Sequence, residues 1–434
     1  MSSPDVLASD WKPAPIWWDA APLEPAPADV PRRCDVAIIG GGYCGLAAAR
    51  VLAGAGVDTV VLEAGDPGHG ASTRNHGHVG GAGKLPADLV RLVGAERAAM
   101  IREDARASAQ ELRDLIADEK LDVDYVQRGR FLAAHSKGAY QGLLHKAEAF
   151  RRDLGLEVRA VPRAEQHCEI GSDFYHGGIV INQGGALHPG KLHRAMRRLA
   201  EAVGARLCGQ AEVTRIARSG TGFVLTTARG TLHATNVILA TNAYAGPVVP
   251  FVRRRLIPVT ATMIATEPLP ADLAHALMPT NRTGGDTKRA LYAFRRSPDG
   301  LRIIFAGRAR FRELDEAMSG TILHGFLCGV WPQLKPFRIT HSWKGYVGFT
   351  FDFLPHMGEH DGIHYAAGCQ GAGVGLMTFL GRQMALKLLG RQQRPCGFDS
   401  GRFPTVPLYD GRPWFLPIVG GWYRLRDRLD RLVP

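Results

Sequence analysis

Apolar residues occur along the chain in short runs and at helical spacing, and both patterns meet in its first strongly apolar stretch. Residues 34–40 form a short apolar run of the kind that is buried in a parallel sheet. Residues 46–54 are small, apolar and helix-forming, and residues 59–62 form a second apolar run. A strand, a helix and a parallel strand fit into about 30 residues, so this stretch predicts a β-α-β unit.

The rest of the chain alternates between helical and extended patterns. Helical spacing predicts surface helices over 95–120 and 139–154, and further helices over 192–203 and 374–389. Strands are predicted around 206–207, 213–216, 223–227 and 237–240, and residues 297–300 have the composition of a hairpin turn within a strand-rich segment, 256–305. This order predicts an α/β domain that pieces of a second, mixed domain interrupt twice.

These patterns divide the chain into four predicted parts. They are an N-terminal arm over 1–32, a discontinuous domain over 33–92, 155–252 and 341–393, a second domain over 93–154 and 253–340, and a C-terminal extension over 394–434 that packs on the body. Prolines exclude a continuous helix in the arm, and its tryptophans need a covering surface, which predicts an extended arm lying on the protein. A loose leader remains an alternative for residues 1–10.

Composition and charge narrow the class of protein. Of the 434 residues 45% are hydrophobic and 22% are charged, so a large core forms and extensive disorder is excluded. The formal charge of +12 suits nucleic acid, an anionic membrane face or a small anionic ligand. Because the basic residues form neither a block nor a module interleaved with aromatics, we expect a small ligand and no nucleic acid.

The cysteines and the apolar stretches bear on the cellular compartment. Seven widely spaced cysteines without a CxxC pair favour neither a disulfide framework nor a zinc site, and they fit a reducing compartment. Residues 1–12 contain no apolar core of a signal peptide, and no stretch reaches the ~18 apolar residues of a membrane span. We expect a cytoplasmic protein with no membrane partner.

Three glycines between the first strand and the first helix form a dinucleotide-binding pattern. Gly40, Gly42 and Gly45 satisfy GxGxxG, and Glu63 lies 18 residues beyond the last of them. Gly40 allows the tight turn, Gly42 lets a pyrophosphate approach the backbone, and Gly45 permits close packing of helix on strand. The helix N-terminus attracts the phosphates, while the acid binds ribose hydroxyls and repels the 2′-phosphate of NADP. A purely structural glycine turn is the alternative.

The segment after the second strand favours a flavin over NAD. Residues 68–84 combine glycines with small hydroxyl residues in a stretch that can run along a pyrophosphate, a ribityl chain and a ring. Its histidines, His69, His76 and His78, also suit a metal ion, but the segment contains no Asp, Glu or Cys to accompany them. We therefore predict no metal site.

Taken together, these motifs resemble those of a known family. Residues 34–45, 63–64, 70–75 and 368–374 resemble the D-amino-acid oxidase (DAO) superfamily of FAD-dependent oxidoreductases. Its gamma-glutamylputrescine oxidase-like branch is the most similar, through segments at 16–19, 187–191, 237–244, 294–300, 306–308 and 343–358. The resemblance implies a Rossmann-type, glutathione-reductase-like FAD-binding domain of the DAO type. A mixed α+β substrate domain with an antiparallel sheet interrupts it.

The resemblance also implies which residues bind FAD. They lie in the glycine turn, around the acid, in the 71–79 segment, at one strand start and one strand end, and before the last long helix: Gly40, Gly42, Tyr43, Cys44, Gly45, Glu63, Ala64, Ala71, Ser72, Thr73, Arg74, Asn75, His76, Gly77, His78, Val79, Val213, Thr241, Asn242, Gly368, Gln370, Gly371, Ala372, Gly373 and Val374. No cysteine lies between His341 and Thr350, where some relatives attach the flavin, so non-covalent FAD is predicted.

The activity that the resemblance implies is amine oxidation. A primary or secondary amine would be oxidised to an imine, which water hydrolyses to an aldehyde or oxo product plus an amine, while O2 is reduced to H2O2. We expect a small amine with a distal carboxylate, gamma-glutamyl or phosphonate group. The residues predicted to contact it are Tyr292, Arg295, Arg308, Trp343, Tyr346 and Phe349, and those predicted to act in catalysis are His76, Trp343 and Lys344.

Several alternatives stay open at this stage. Each aromatic residue is equally consistent with an ordinary core position, His76 with a packing role, and Lys344 with an exposed surface position. A dehydrogenase that passes electrons to a quinone or an electron-transfer protein would share all of these motifs, and a non-catalytic flavin-binding scaffold is a further alternative. We expect a monomer or a homodimer.

Overall fold

The computed structural model describes residues 6–27, 29–80, 85–310, 313–399 and 401–432. Its strands are β1 Leu7–Lys12, β2 Arg33–Ile39, β3 Thr59–Leu62, β4 His78–Val79, β5 Arg130–Ala133, β6 Val158–Val161, β7 Gly178–Ile181, β8 Gly185–Ala186, β9 Arg206–Cys208, β10 Val213–Ser219, β11 Gly222–Thr227, β12 Gly230–Leu239, β13 Ile257–Thr266, β14 Thr283–Asp286, β15 Ala293–Arg296, β16 Ile303–Gly307, β17 Ile339–Phe349, β18 His356–His360 and β19 Ile363–Ala367.

The α-helices account for most of the remaining regular structure. They are α1 Trp17–Ala20, α2 Tyr43–Gly54, α3 Leu89–Val93, α4 Ala95–Asp118, α5 Lys137–Leu154, α6 Pro189–Ala202, α7 Pro250–Arg253, α8 Ala271–Leu277, α9 Glu316–Val330, α10 Gly373–Leu388 and α11 Leu416–Leu432. Two 3-10 turns, Ala71–Thr73 and Asn242–Tyr244, lie beside the site described below.

The first sheet has eight strands around a parallel centre formed by β12, β2, β3 and β9. β10 and β11 extend it as an antiparallel meander, and β19 runs parallel to β12. Successive residues of β2 face opposite sides: Val36 and Ile38 pack with helices α2, α4, α6 and α10, whereas Ala37 and Ile39 pack with the meander. Burial on both faces explains the unbroken apolar run that the sequence shows here.

The second sheet has nine strands in the order β1-β17-β13-β16-β15-β14-β5-β7-β6. Most neighbours are antiparallel, and the longest pairing joins β13 to β17 from Ile257 opposite Phe349 to Ala265 opposite His341. Helix α9 covers one face of this sheet, where Leu323, Leu327 and Trp331 pack into the core. The two sheets meet along the cavity described below.

The sheets divide the chain differently from the predicted domain boundaries at three places. β6 and β7 pair in the second sheet, although residues 155–252 were assigned to the first domain. β17 begins at Ile339 and also belongs to the second sheet, although its residues from 341 onward were assigned to the first domain. Helix α4 was predicted to lie on the surface of the second domain, yet its Ile101, Ala105 and Leu112 pack with the first sheet's helices. Local patterns predict several of these elements, but long-range pairing decides which sheet each strand joins.

The N-terminal arm contacts the rest of the protein at two places, strand β1 and Trp17. β1 pairs in parallel with β17 at the edge of the second sheet, so residues 7–12 are not a loose leader. Trp17 is 1% exposed and packs beside Trp343. Residues 1–5 lie outside the described part of the chain. Among the described helices, none is both long enough and apolar enough to cross a lipid bilayer.

Candidate active site

A cavity of about 600 Å³ lies between the two sheets. The carboxyl ends of β2, β3 and β12 form one side, where ligands bind in open α/β sheets. β13 and β17 of the second sheet form the other side, and the 69–78 segment and the start of α10 close it. Its size falls within the ordinary range for small-molecule sites.

The three motif glycines have different surroundings. Gly40 has φ +107°, and a Cβ there would lie 3.0 Å from the Ala240 carbonyl oxygen. A Cβ on Gly45 would overlap the Gly40 carbonyl oxygen, so close helix–strand packing requires this glycine. Gly42 faces the cavity, and the nearest atom to a Cβ there would be the Ser72 Oγ at 2.8 Å. The glycines thus leave the cavity open at the first turn of α2.

The N-terminus of α2 lies at this cavity, which Gly42, Tyr43 and Cys44 line. Its N-cap is Gly42, which provides no side-chain cap, and the first turn contains no acid. The Tyr43 N–H donates to the Ser72 Oγ at 3.0 Å. A helix N-terminus carries partial positive charge and free N–H groups, so this end is suited to an anion such as a pyrophosphate.

Glu63 lies on the same side of the cavity, at the end of β3. Its Oε2 accepts a hydrogen bond from the Gly41 N–H at 2.7 Å, and burial raises the pKa of this carboxyl. Val213, at the start of β10, also lines the cavity. A half-buried acceptor beside an apolar strand start suits a ribose and an adenine.

The 69–78 segment is braced by its own hydrogen bonds. The Asn75 Nδ2 donates to the Ala71 and Ser72 carbonyls, and its Oδ1 accepts from the Gly77 N–H at 2.8 Å. The Arg74 Nε donates to the His69 carbonyl at 2.6 Å. The segment therefore has a defined shape before any ligand binds.

Three tryptophans from distant parts of the chain support this segment. The Trp17 Nε1 donates to the Asn75 carbonyl at 3.0 Å, and the Trp18 Nε1 donates to the Thr73 Oγ1 at 2.8 Å. The Trp343 Nε1 donates to the Arg74 carbonyl at 3.0 Å. The N-terminal arm thus holds the cavity wall in place.

His76 and His78 line the cavity in neutral form. Burial, together with the charges of Arg295 and Arg130, holds the pKa of both imidazoles well below the usual value. The Nδ1 of His78 lies 2.9 Å from the Thr283 Oγ1, whereas the Nε2 of His76 has no hydrogen-bond partner among the described residues. Over the described part of the chain, neither histidine belongs to a group of three metal-ligating side chains.

Thr241, Asn242 and Gln370 bring the end of β12 together with the loop before α10. The Asn242 Oδ1 accepts from the Gly368 N–H at 2.9 Å, and its Nδ2 contacts the Cys369 Sγ at 3.2 Å. Thr241 Oγ1 and Gln370 Oε1 are buried at the cavity without a hydrogen-bond partner within the described ranges. A buried polar atom without a partner is costly, so both atoms are suited to a polar ligand.

Helix α10 directs a second N-terminus at the cavity. Gly371 has φ +81°, and the N-cap residue Ala372 provides no side-chain cap. The first turn contains no acidic residue. Negative charge on a bound group would therefore be stabilised at this end.

Most, but not all, predicted cofactor residues line this cavity. Five lie behind its wall and support it: Gly45, Thr73, Gly77, Val79 and Gly368; a sixth, Ala372, lines the adjoining second chamber described below. Val79 is 0% and Thr73 is 1% exposed, and both are packed in the interior. They are too deeply placed to contact a ligand through their side chains.

The structure places two of the predicted catalytic residues, Trp343 and Lys344, outside the cavity lining. Trp343 is 0% exposed, because helix α1 and the 69–78 segment cover it. Lys344 projects from the opposite face of β17, where its Nζ donates to the Leu314 carbonyl at 2.7 Å and lies 3.4 Å from Glu316. Neighbouring residues of a strand face opposite sides, so Lys344 points at α9 and away from the cavity.

The predicted substrate residues divide in the same way. Arg308, Tyr346 and Phe349 line the cavity, and the Arg308 guanidinium lies 5.4 Å from the Phe349 ring centre. Arg295 is 4% exposed and donates from Nη1 to the His76 and Leu187 carbonyls, so it positions the wall and lies outside the cavity lining. Tyr292 stacks on Phe326 outside the cavity lining.

The sequence analysis missed several lining residues. Ala261 and Met263 contribute the β13 side of the cavity, and Tyr244 and Leu291 contribute loops beside it. The spacing of Ala261 and Met263 placed them on one strand face, but only the packed sheets show that this face borders the cavity. Arg130 was also not predicted as a site residue; it lines a second chamber, which is described next.

This second chamber has a volume of about 1270 Å³ and adjoins the first cavity. The residues common to both form the passage between them: His78, Leu291, Arg308, Phe349, Cys369, Gln370 and Gly371. The chamber continues between α5, β5 and the C-terminal helix α11, whose Val419 and Tyr423 form part of its wall. A ligand can therefore contact both spaces.

Comparisons with known proteins agree with this geometry. The family model described as "DAO: FAD dependent oxidoreductase" matches residues 35–386. The chain is 32% identical over 403 residues to gamma-glutamylputrescine oxidoreductase of Escherichia coli (strain K12), covering 91% of this chain and 93% of that protein. It is 29% identical over 426 residues to the probable oxidoreductase OrdL of Rhizobium meliloti (strain 1021), covering 96% of this chain and 98% of that protein.

A solved structure shows the same fold. The crystal structure of glycine oxidase from Geobacillus kaustophilus superposes with a TM-score of 0.71 at 24% identity, over 87% of this chain and 99% of that chain. Fold and site thus define a flavin-dependent oxidoreductase. The chain belongs to the DAO family of FAD-dependent oxidoreductases. The predicted fold class, family and FAD cofactor are confirmed.

The residues of the cavity fit FAD. The two uncapped helix N-termini suit its phosphates and the electron-rich edge of its ring, and Glu63 with Val213 suits the adenosine. The unpartnered Thr241 Oγ1 and Gln370 Oε1 provide polar atoms for the remaining groups. The non-covalent attachment predicted from the sequence stays a prediction.

Proposed function

We propose that this protein oxidises a primary or secondary amine that carries a distal anionic group, with O2 as the electron acceptor. The observation that supports this most strongly is that the FAD cavity opens into the second chamber past Arg308 and Phe349. A small substrate can thus lie against the cofactor and extend away from it. The names of two relatives, gamma-glutamylputrescine oxidoreductase and glycine oxidase, refer to compounds with amino groups.

FAD, when bound, accepts two electrons and a hydrogen from the carbon beside the amine nitrogen. This chain's residues hold the amine at the passage between the two spaces, where His78, Leu291 and Phe349 form the wall. Phe349 and Leu291 exclude water from one side of that carbon. Correct placement of the reacting atoms is the main contribution that the protein makes to such a step.

The charges near the passage favour the uncharged amine, which is the form that loses hydrogen. Burial, followed by the charges of Arg295 and Arg130, lowers the pKa of His76 and His78, and burial lowers the pKa of Arg308. The same positive field disfavours an ammonium group and lowers its pKa. A neutral His76 with an unpartnered Nε2 can then hydrogen-bond the amine without repelling it.

The proposed overall reaction balances without any further reactant. The amine RCH2–NHR′ with O2 and H2O gives RCHO, R′NH2 and H2O2. The C–H and N–H hydrogens and two electrons leave the substrate and end in the peroxide, and water supplies the aldehyde oxygen. The uncapped N-terminus of helix α10 would stabilise negative charge on a bound cofactor.

A panel of amines with and without distal anions tests the proposal. Purified protein is mixed anaerobically with each amine, loss of the yellow absorbance is followed, and air is then admitted. Loss of colour followed by stoichiometric H2O2 supports an oxidase. Loss of colour without peroxide, but with reduction of a quinone, would assign a dehydrogenase instead. No loss of colour with any amine would contradict amine oxidation and favour the scaffold alternative.

A further inference from the structure

Arg130 is a half-buried cation that has no ion-pair partner among the described residues. It lies on β5 and lines the second chamber, and its guanidinium has neither an ion pair nor a hydrogen bond with the residues described. Burial lowers the pKa of this arginine, and only the more distant Asp286 opposes the shift. A half-buried charge that faces a chamber and has no partner among the described residues is available to an anionic ligand.

The carboxylates of the chamber are already neutralised by other cations. Asp286 forms an ion pair with Lys288 at 3.0 Å, and Asp430 pairs with Arg289 at 2.6 Å. No other acidic residue lines the chamber within the described ranges. Arg130 therefore faces a space with an unbalanced positive charge.

The surrounding strands make room for the Arg130 side chain. A Cβ on Gly285, in the neighbouring strand β14, would lie 2.6 Å from the Arg130 Nη2, and one on Gly184 would lie 3.2 Å from the Arg130 Cβ. Arg130 is opposite Thr283 in the pairing of β5 with β14, and Thr283 contacts His78. His78 belongs to both cavities, so Arg130 lies one strand away from the passage to the cofactor.

The chamber walls around Arg130 are mainly apolar. Leu132, Leu143, Phe150 and Ile181 line the space beyond it. Lys146, on α5, is exposed at the same chamber and adds a second positive charge there. The combination fits a ligand with an apolar chain that ends in a carboxylate, which a guanidinium binds through two parallel hydrogen bonds.

We propose that Arg130 binds the terminal carboxylate of the substrate, so that the substrate class is amines whose other end is a carboxylate. This proposal rests on the proposed amine oxidation for its substrate, but not for the carboxylate site itself. It also replaces Arg295, whose Nη1 bonds to main-chain carbonyls rule out such a role.

The first test measures binding without turnover. Pentanoate and pentanamide are titrated into the FAD-loaded protein, and the shift of the flavin absorbance gives each dissociation constant. We expect Arg130→Met to weaken pentanoate about 30-fold or more and to leave pentanamide unchanged. Arg130→Lys should restore part of the affinity as a point charge. Gly285→Ala, which displaces the guanidinium and keeps its charge, should weaken pentanoate as well.

The matched control is Arg128→Met, since Arg128 is an exposed arginine two positions earlier in the chain. It should bind both probes as the wild type does. The melting temperature separates folding from binding: Arg130→Met should melt at the same temperature as the wild type or higher, because it removes a half-buried charge that has no ion-pair partner among the described residues. Equal pentanoate binding by wild type and Arg130→Met, or equal losses for both probes, would overturn the proposal.

The second test uses ω-amino carboxylates of three to eight carbons and their terminal amides as substrates. Arg130→Met should raise KM for the carboxylates about 30-fold or more, with little change for the amides. If no amine reduces the flavin of the wild type, the proposed function fails, while pentanoate binding still tests Arg130. If amines are oxidised but the variant treats both series alike, only the Arg130 proposal fails.

Discussion

Replacing Gly42 with valine tests the FAD site at its most sensitive point. The backbone at Gly42, with φ −84° and ψ −173°, is an extended conformation that valine adopts without strain. The new Cβ would lie 2.8 Å from the Ser72 Oγ, so this hydroxyl has to move and its hydrogen bond from the Tyr43 N–H is lost. The cost to the free energy of unfolding is about 1 kcal/mol.

The cost to FAD binding is larger, because the valine methyl groups occupy the space in front of the α2 N-terminus. Loss of about two hydrogen bonds to a charged phosphate is worth about 3 kcal/mol or more, which weakens FAD binding roughly 10²-fold. Bound FAD is measured by absorbance after gel filtration, and the dissociation constant by titration of the protein stripped of its cofactor. Circular dichroism and the melting temperature show whether the variant folds.

Gly54→Val is the matched control at the other end of the same helix. A Cβ on Gly54 meets no atom within 4 Å, so valine there changes little apart from helix propensity. This variant should retain FAD as the wild type does. A folded Gly42→Val protein with an unchanged dissociation constant for FAD would refute the assignment of the α2 N-terminus to the phosphates.

Three further predictions follow from other contacts of the site. Trp17→Ala should lower the free energy of unfolding by about 3–5 kcal/mol and speed FAD release, since the Trp17 ring is only 1% exposed and its Nε1 bonds to the Asn75 carbonyl. The control Trp414→Ala removes a ring that is 71% exposed and should change neither property; equal denaturation midpoints for Trp17→Ala and the wild type would contradict the role of Trp17. Lys344→Met should keep the rate of flavin reduction within about twofold in stopped-flow measurements, because its ammonium group faces Glu316, and a tenfold fall would show that it reaches the reaction. Burial lowers the pKa of His193 to about 4, so the unfolded chain binds a proton on this imidazole at a higher pH than the folded protein does, and the free energy of unfolding should fall as the pH drops from about 6.5 to 4. In urea titrations across this pH range, His193→Gln should remove up to about 3 kcal/mol of that fall, and identical pH profiles of variant and wild type would disprove it.

The FAD-binding half of the site was predictable because its determinants are local. Gly40, Gly42 and Gly45 lie within six consecutive residues, and each has a backbone requirement that the sequence expresses directly. Glu63 ends the strand beside them, and Ser72 and Asn75 follow in one short braced segment. The apolar runs of β2 and β3 predicted the parallel centre of the sheet for the same reason.

The substrate half was not predictable to the same depth, because it depends on which strand faces meet. Alternation along β17 separates Trp343 from Lys344, yet Trp343 is covered only because the N-terminal arm and the 69–78 segment, both more than 260 residues away in sequence, pack against it. Similarly, Arg295 and Arg130 are both arginines on strands of one sheet. The Arg295 guanidinium donates hydrogen bonds to the carbonyls of His76 and Leu187, whereas Arg130 lines the open second chamber.

The sequence by itself thus determined the family, the cofactor and the phosphate-binding turn, since these follow from short-range backbone geometry that glycine spacing encodes. Only the tertiary structure decided which cations remain unpaired, which tryptophans support the cavity wall and where the second chamber runs. Those properties arise from contacts between segments that are distant in the chain. They depend on strand register and burial and not on residue type.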